Sequence, residues 1–113
     1  MQKTMKITNE MLETRNRCLT LVSGKTGVPV DDILSRRRTA KVASARMLVV
    51  WALYVLYEYS TPTIGTMMGR SPATILHMVA QGNGSAYLTT NERMVMAELK
   101  KMKMEGGVDN GLL

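Results

Sequence analysis

The sequence predicts an all-α fold, a small bundle of about six helices containing a helix-turn-helix. Three observations carry the prediction. Apolar residues recur every three or four positions through Val42, Ala45, Val49, Ala52 and Leu56, which puts them on one helical face. Thr61-Pro62 and Ser71-Pro72 each set a capping residue before a proline suited to a first turn, and Gly69 lies between them. No stretch has the alternating pattern and flanking partners of a strand.

The elements follow in order. Ile7 to Ser23 carries Met11, Leu12, Cys18, Leu19 and Val22 at helical spacing, with Thr8 or Asn9 as the N-cap and Gly24 and Gly27 as the stop. Val30 to Leu34 is a short helical turn, with Asp31 and Asp32 favourably placed near its N-terminus. A basic loop, Arg36-Arg37-Arg38, leads into a central helix from about Thr39 to Tyr59. That helix is apolar nearly all round in its second half, so other elements should surround it, with Trp51 and Tyr54 in the core. Its uncharged run from Met47 to Tyr57 falls short of the ~20 residues a bilayer span needs.

Two short helices come next. Thr61-Pro62 opens the first and Gly69 closes it; Ser71-Pro72 opens the second, which runs to about Gln81. A short helix, a tight turn at Met68-Gly69-Arg70 and a second helix give the plan of a helix-turn-helix, whose second helix enters the DNA major groove. Thr89-Thr90-Asn91-Glu92 offers a capping box for a last helix over residues 89–105. The expected organisation is a single domain over residues 1–105, with a disordered tail from Gly106 to Leu113.

Composition narrows the function. The chain has 113 residues and is 45% hydrophobic, enough for one domain with a core of its own. Eleven methionines and no phenylalanine suit gap-filling between helices. Cys18 stands alone, which excludes an intramolecular disulfide and the usual zinc-finger spacings. The N-terminal ten residues have no apolar core, so no signal peptide or membrane anchor is expected and the localisation is expected to be cytoplasmic.

The net charge is +6, and its placement matters more than its size. Residues 1–35 hold five bases and four acids, and residues 83–113 hold four of each. Residues 36–82 hold six bases and one acid, so a polyanion should dock on the middle third. His77 is the only histidine, with Cys18 its only soft partner and no acid pair near it in sequence, so neither an enzyme nor a metal site is expected.

Several phrases then line up with a known family. Gly27-Val28 followed by Asp32-Ile33-Leu34-Ser35-Arg36-Arg37-Arg38 resembles the phrase GV…DLLSKRR, and Val42-Ala43 and Arg46 follow in step. Ser60-Thr61-Pro62-Thr63-Ile64-Gly65 is similar to SLPEIG, and Gly69-Arg70 with Thr74-Ile75-Leu76-His77 is similar to GRDHTTVLH. In this order, over residues 7–82, the chain resembles the C-terminal DNA-binding domain of the bacterial replication initiator DnaA.

The resemblance implies roles for individual positions. Arg38 falls where the family places an arginine in the minor groove, and Arg36, Arg37 and Arg46 match positions facing phosphates. Pro62 matches a proline lying against DNA, and Thr74 and His77 match residues near the backbone. The chain departs from the family at its tip, where Ser71, Pro72 and Ala73 replace the base-reading Asp-His-Thr and one of two glycines before the arginine is missing. The second helix carries no charge from Ser71 to Gln81, leaving Ser71, Thr74, His77 and Gln81 as base-edge candidates. No GxxxxGK(S/T) phosphate loop occurs in these residues, so neither a nucleotide nor any other cofactor is expected.

The functional expectation is a double-stranded DNA-binding domain using Arg36, Arg37, Arg38, Lys41, Arg46, Pro62, Arg70, Ser71, Pro72, Ala73, Thr74, His77 and Gln81. Such a domain suits a replication or transcription accessory, on a phage or other mobile element. One competing expectation is an oligomeric DNA-packaging or regulatory subunit that assembles through the last helix. Another is a helical protein–protein adaptor that has lost DNA binding, supported by the altered Ser71-Pro72-Ala73 tip.

Overall fold

The computed structural model describes residues 6–111, with side chains to residue 106 save that of Ser85. It is all-helical, and no strand occurs among the described residues. The chain order is α1 (Asn9–Thr26), α2 (Val30–Leu34), α3 (Ala40–Trp51), a π-helical turn (Ala52–Leu56), α4 (Thr61–Met68), α5 (Pro72–Asn83), a 3-10 turn (Ser85–Tyr87) and α6 (Thr90–Gly111).

Capping sets most of these boundaries. The Thr8 hydroxyl accepts from the Met11 N–H at 3.1 Å and starts α1. Gly24 lies inside α1 rather than ending it; the stop is Gly27, left-handed at φ 78°, whose N–H donates to the Ser23 carbonyl. One internal glycine costs a helix only ~1 kcal/mol, and the left-handed C-cap lies three residues further on. Thr39 starts α3, accepting from the Val42 N–H. The cap of α4 is Ser60, one residue earlier than the sequence indicates, so Pro62 sits one place inside the helix.

The central helix stops earlier than its apolar pattern implies. After Trp51 the backbone widens: the Tyr57 N–H reaches the Ala52 carbonyl at 3.2 Å, and the Tyr59 N–H reaches that of Leu53 at 3.1 Å. Glu58 then adopts φ 58°, a left-handed conformation costly for a residue with a Cβ, and turns the chain toward α4. Tyr54, expected in the core, is 37% exposed on this turn.

α3 runs through the middle and packs on α1, α2, α5 and α6. Leu19, Ile33, Leu48, Leu53, Ile64, Ile75 and Leu99 are fully buried around it, each stabilising the fold by roughly 1.5–3 kcal/mol of transfer free energy. Trp51 is buried as expected, and its Nε1 donates to Asn83 Oδ1 at 3.0 Å. Gly82 lies flat on the indole: a Cβ there would come within 2.5 Å of Trp51 Cδ1. Those two contacts fix the end of α5 to α3. Cys18 is fully buried, and burial pushes its thiol up to about 12, leaving it protonated and inert.

The capping box before α6 forms as read. The Thr89 N–H donates to Glu92 Oε1 at 2.9 Å and the Glu92 N–H to Thr89 Oγ1 at 3.0 Å, while the Ser44 hydroxyl donates to Glu92 Oε2. α6 runs to Gly111, past residue 105 and into the segment from Gly106 expected to be a disordered tail, of which Leu112 and Leu113 lie outside the described residues. Among the described residues no helix is long and apolar enough to cross a membrane.

Candidate nucleic-acid interface

α4 and α5 meet at a turn that two glycines make possible. Gly69 caps α4 in the left-handed conformation, φ 69°, and the Arg70 N–H closes the turn on the Gly65 carbonyl at 2.9 Å. Gly65 packs directly under the Arg70 carbonyl oxygen, where a Cβ has no room. The Ser71 hydroxyl then accepts from the Thr74 N–H at 3.2 Å and opens α5 with Pro72 in its first turn. Ser71, Pro72, Ala73 and Thr74 are all exposed, so the tip of α5 stands clear of the body.

A cleft of about 780 Å³ runs between this tip and the basic loop. Arg36 and Arg38 line one wall, Arg70 and the α5 tip the other, and Arg46 lies in its floor. Among the described residues no carboxylate lines it. The guanidinium of Arg70 is held below the usual arginine range by burial and then by the Arg36 and Arg38 charges. Arg46 is lowered in the same sense, by burial first and by Arg70 second. Like charges facing one another across a cleft make it a place where an anion is favourable.

Eight of the thirteen expected residues converge on this cleft: Arg36, Arg38, Arg46, Pro62, Arg70, Ser71, Pro72 and Thr74. Ala73 and His77 lie on the exposed side of α5, outside its walls. Arg37 is turned toward Asp32, with 3.7 Å between Nε and the carboxylate. Lys41 is exposed on the first turn of α3, with its ammonium close to Gly27. Gln81 lines a separate hollow of about 620 Å³ with Tyr87, Leu88 and Glu92.

One expectation changes in kind. Arg46, read as facing a phosphate, is 3% exposed and spends its guanidinium on backbone carbonyls of Asp32, Ile33, Ser35 and Arg37. Its place on the buried face of α3, between Val42 and Val50, draws it inward. Conversely, Thr66 and Ala43 line the cleft and escaped sequence reasoning. The signal for Thr66 is its spacing of four from Pro62, whose carbonyl its hydroxyl meets at 3.1 Å. No group of three His, Cys, Asp or Glu side chains that could hold a metal converges among the described residues.

Comparison with known proteins places the chain in a family. The family model for the bacterial DnaA protein helix-turn-helix matches residues 16–81, a span holding α2 to α4, α5 up to Gln81 and every residue that lines the cleft. The chromosomal replication initiator protein DnaA of Aliarcobacter butzleri (strain RM4018) is 28% identical over 83 residues. That match covers 73% of this chain and 19% of the relative.

Proposed function

The chain belongs to the bacterial DnaA helix-turn-helix family, and we propose that it binds double-stranded DNA through the arginine cleft and the exposed tip of α5. In this reading α5 enters the major groove by its N-terminal turn. Arg36 and Arg38 hold the adjacent backbone or minor groove, Arg70 neutralises a phosphate at the turn, and Pro62 and Thr66 lie against the sugar-phosphate chain. The observation that carries it is the cleft, lined among the described residues by four arginines and no acid, beside a recognition helix whose tip is wholly exposed.

The tip has no long polar side chain, so phosphate contacts supply most of the affinity and base readout is modest. The biological setting suggested by the initiator relative is replication, with this chain acting as an accessory at the DNA.

Fluorescence anisotropy tests the proposal, titrating the protein against a duplex carrying a DnaA-type box and a scrambled duplex over a salt series. Both should bind, with log K falling linearly in log salt at a slope of about −0.9 per neutralised phosphate. A preference of about tenfold for the box, ~1.4 kcal/mol, would add base readout through Ser71, Thr74 and their neighbours. No binding to either duplex at low salt would sink the DNA reading and favour a protein–protein adaptor.

A further inference from the structure

We infer that Arg46 is a positioning residue, whose buried guanidinium sets the Arg36–Arg38 loop against the α4–α5 turn so that both can reach one duplex. This rests on the cleft being a DNA site. It differs from the family-derived expectation, in which the residue at this position meets a phosphate itself.

The geometry is specific. Nε donates to the Ile33 carbonyl at 2.8 Å, Nη1 to that of Arg37 at 3.0 Å, and Nη2 to those of Asp32 and Ser35 at 3.1 and 2.8 Å. Every nitrogen of the fork is engaged, and at 3% exposure the side chain cannot turn to a phosphate without releasing them. The acceptors are the last carbonyls of α2 and two carbonyls of the loop. α2 has five residues and no basic residue in its last turn, and its Asp32 carbonyl is already met by the N–H and hydroxyl of its C-cap Ser35. Arg46 adds donors to that carbonyl and to those of Ile33, Ser35 and Arg37 across a sequence gap of 9 to 14 residues.

The Ser35 carbonyl links the two halves. It also accepts from Arg70 Nη2 at 2.6 Å, and Arg70 Nη1 donates to the Met68 carbonyl at 2.9 Å, at the end of α4. One peptide oxygen is therefore held by an arginine of the bundle and by an arginine of the helix-turn-helix turn. A planar fork can grip carbonyls in several directions at once, whereas a lysine ammonium offers three donors at one point.

The test is a set of double-mutant cycles read by DNA anisotropy, with circular dichroism to follow the fold. In the wild type, Arg38→Ala should weaken binding about tenfold, within the range for removing a DNA-contacting arginine. In the Arg46→Met background the same change should cost less than twofold, because the loop is already displaced. Thr74→Val, on the α5 side, should cost the same in both backgrounds. Arg46→Lys should recover less than a third of the affinity that Arg46→Met loses.

Recovery of nearly full affinity by Arg46→Lys would mean a direct phosphate contact and overturn the inference. Full additivity of Arg46→Met with Arg38→Ala would overturn it too. If Arg46→Met does not fold, the cycle is run on Arg46→Lys with the same expectation; loss of fold in both would make Arg46 a core residue and end the proposal. Failure of the DNA reading itself is distinguishable, since the wild type would then bind no duplex.

Discussion

α4 and α5 are opened by the same local device and end with different jobs. Each has a serine N-cap whose hydroxyl accepts from the N–H three residues on, and each has a proline in its first turn. Yet α4 buries four of its eight residues, Ile64, Gly65, Met67 and Met68, while α5 buries three of twelve, Ile75, Val79 and Gly82. α4 is a support wedged under the turn. α5 is held along one narrow stripe and presents the rest. Local capping decides that a helix exists, and tertiary burial decides which helix can be offered to a ligand.

Cutting the stripe that holds α5 should produce the largest effect. Ile75 is fully buried, so Ile75→Ala should lower unfolding free energy by about 2–5 kcal/mol in urea denaturation. Next comes the support. Gly65→Ala pushes a methyl into the Arg70 carbonyl and should cost about 1–3 kcal/mol, with the turn displaced. The two caps sharpen the contrast: Ser60→Ala and Ser71→Ala should each cost about 0.5–2 kcal/mol of stability. Ser71→Ala should weaken DNA binding in anisotropy more than Ser60→Ala does. At the small end, Leu76 is 54% exposed on α5, so Leu76→Ala should change stability by no more than about 0.5 kcal/mol in the same denaturation.

A control lies away from both helices. Burial pushes the Glu92 carboxyl up, but its hydrogen bonds from Ser44 and Thr89 outweigh that and hold it below its usual value. A carboxylate with a lowered folded pKa stabilises the protein above its unfolded value and loses that contribution as pH falls through the folded one. Melting curves of wild type and Ser44→Ala should therefore separate above about pH 4.5 and draw together in more acid solution.

Much of this was legible in the residues. Short-range signals, such as Thr8, Thr39, Ser71 with Pro72, Gly69 and the Thr89–Glu92 box, act through one or two hydrogen bonds between near neighbours and hold in almost any tertiary setting. The end of α3 was not legible. Nothing between Ala52 and Tyr59 is glycine or proline, so no local signal marks where the backbone widens or where Glu58 turns left-handed. Arg46 lies between these cases. Five basic residues crowd Arg36 to Arg46, and composition treats them alike. Position alone separates Arg46, four residues after Val42 and four before Val50 on the buried face.

The most direct test of the interface is an amide chemical-shift titration of the isotope-labelled protein with duplex DNA. The largest shifts should fall in the Arg36–Arg38 loop, the first turn of α4 and the segment from Gly69 to His77, with α6 unmoved. Shifts confined to α6, or none at a saturating excess of duplex, would contradict the cleft and the α5 tip as the DNA-binding face.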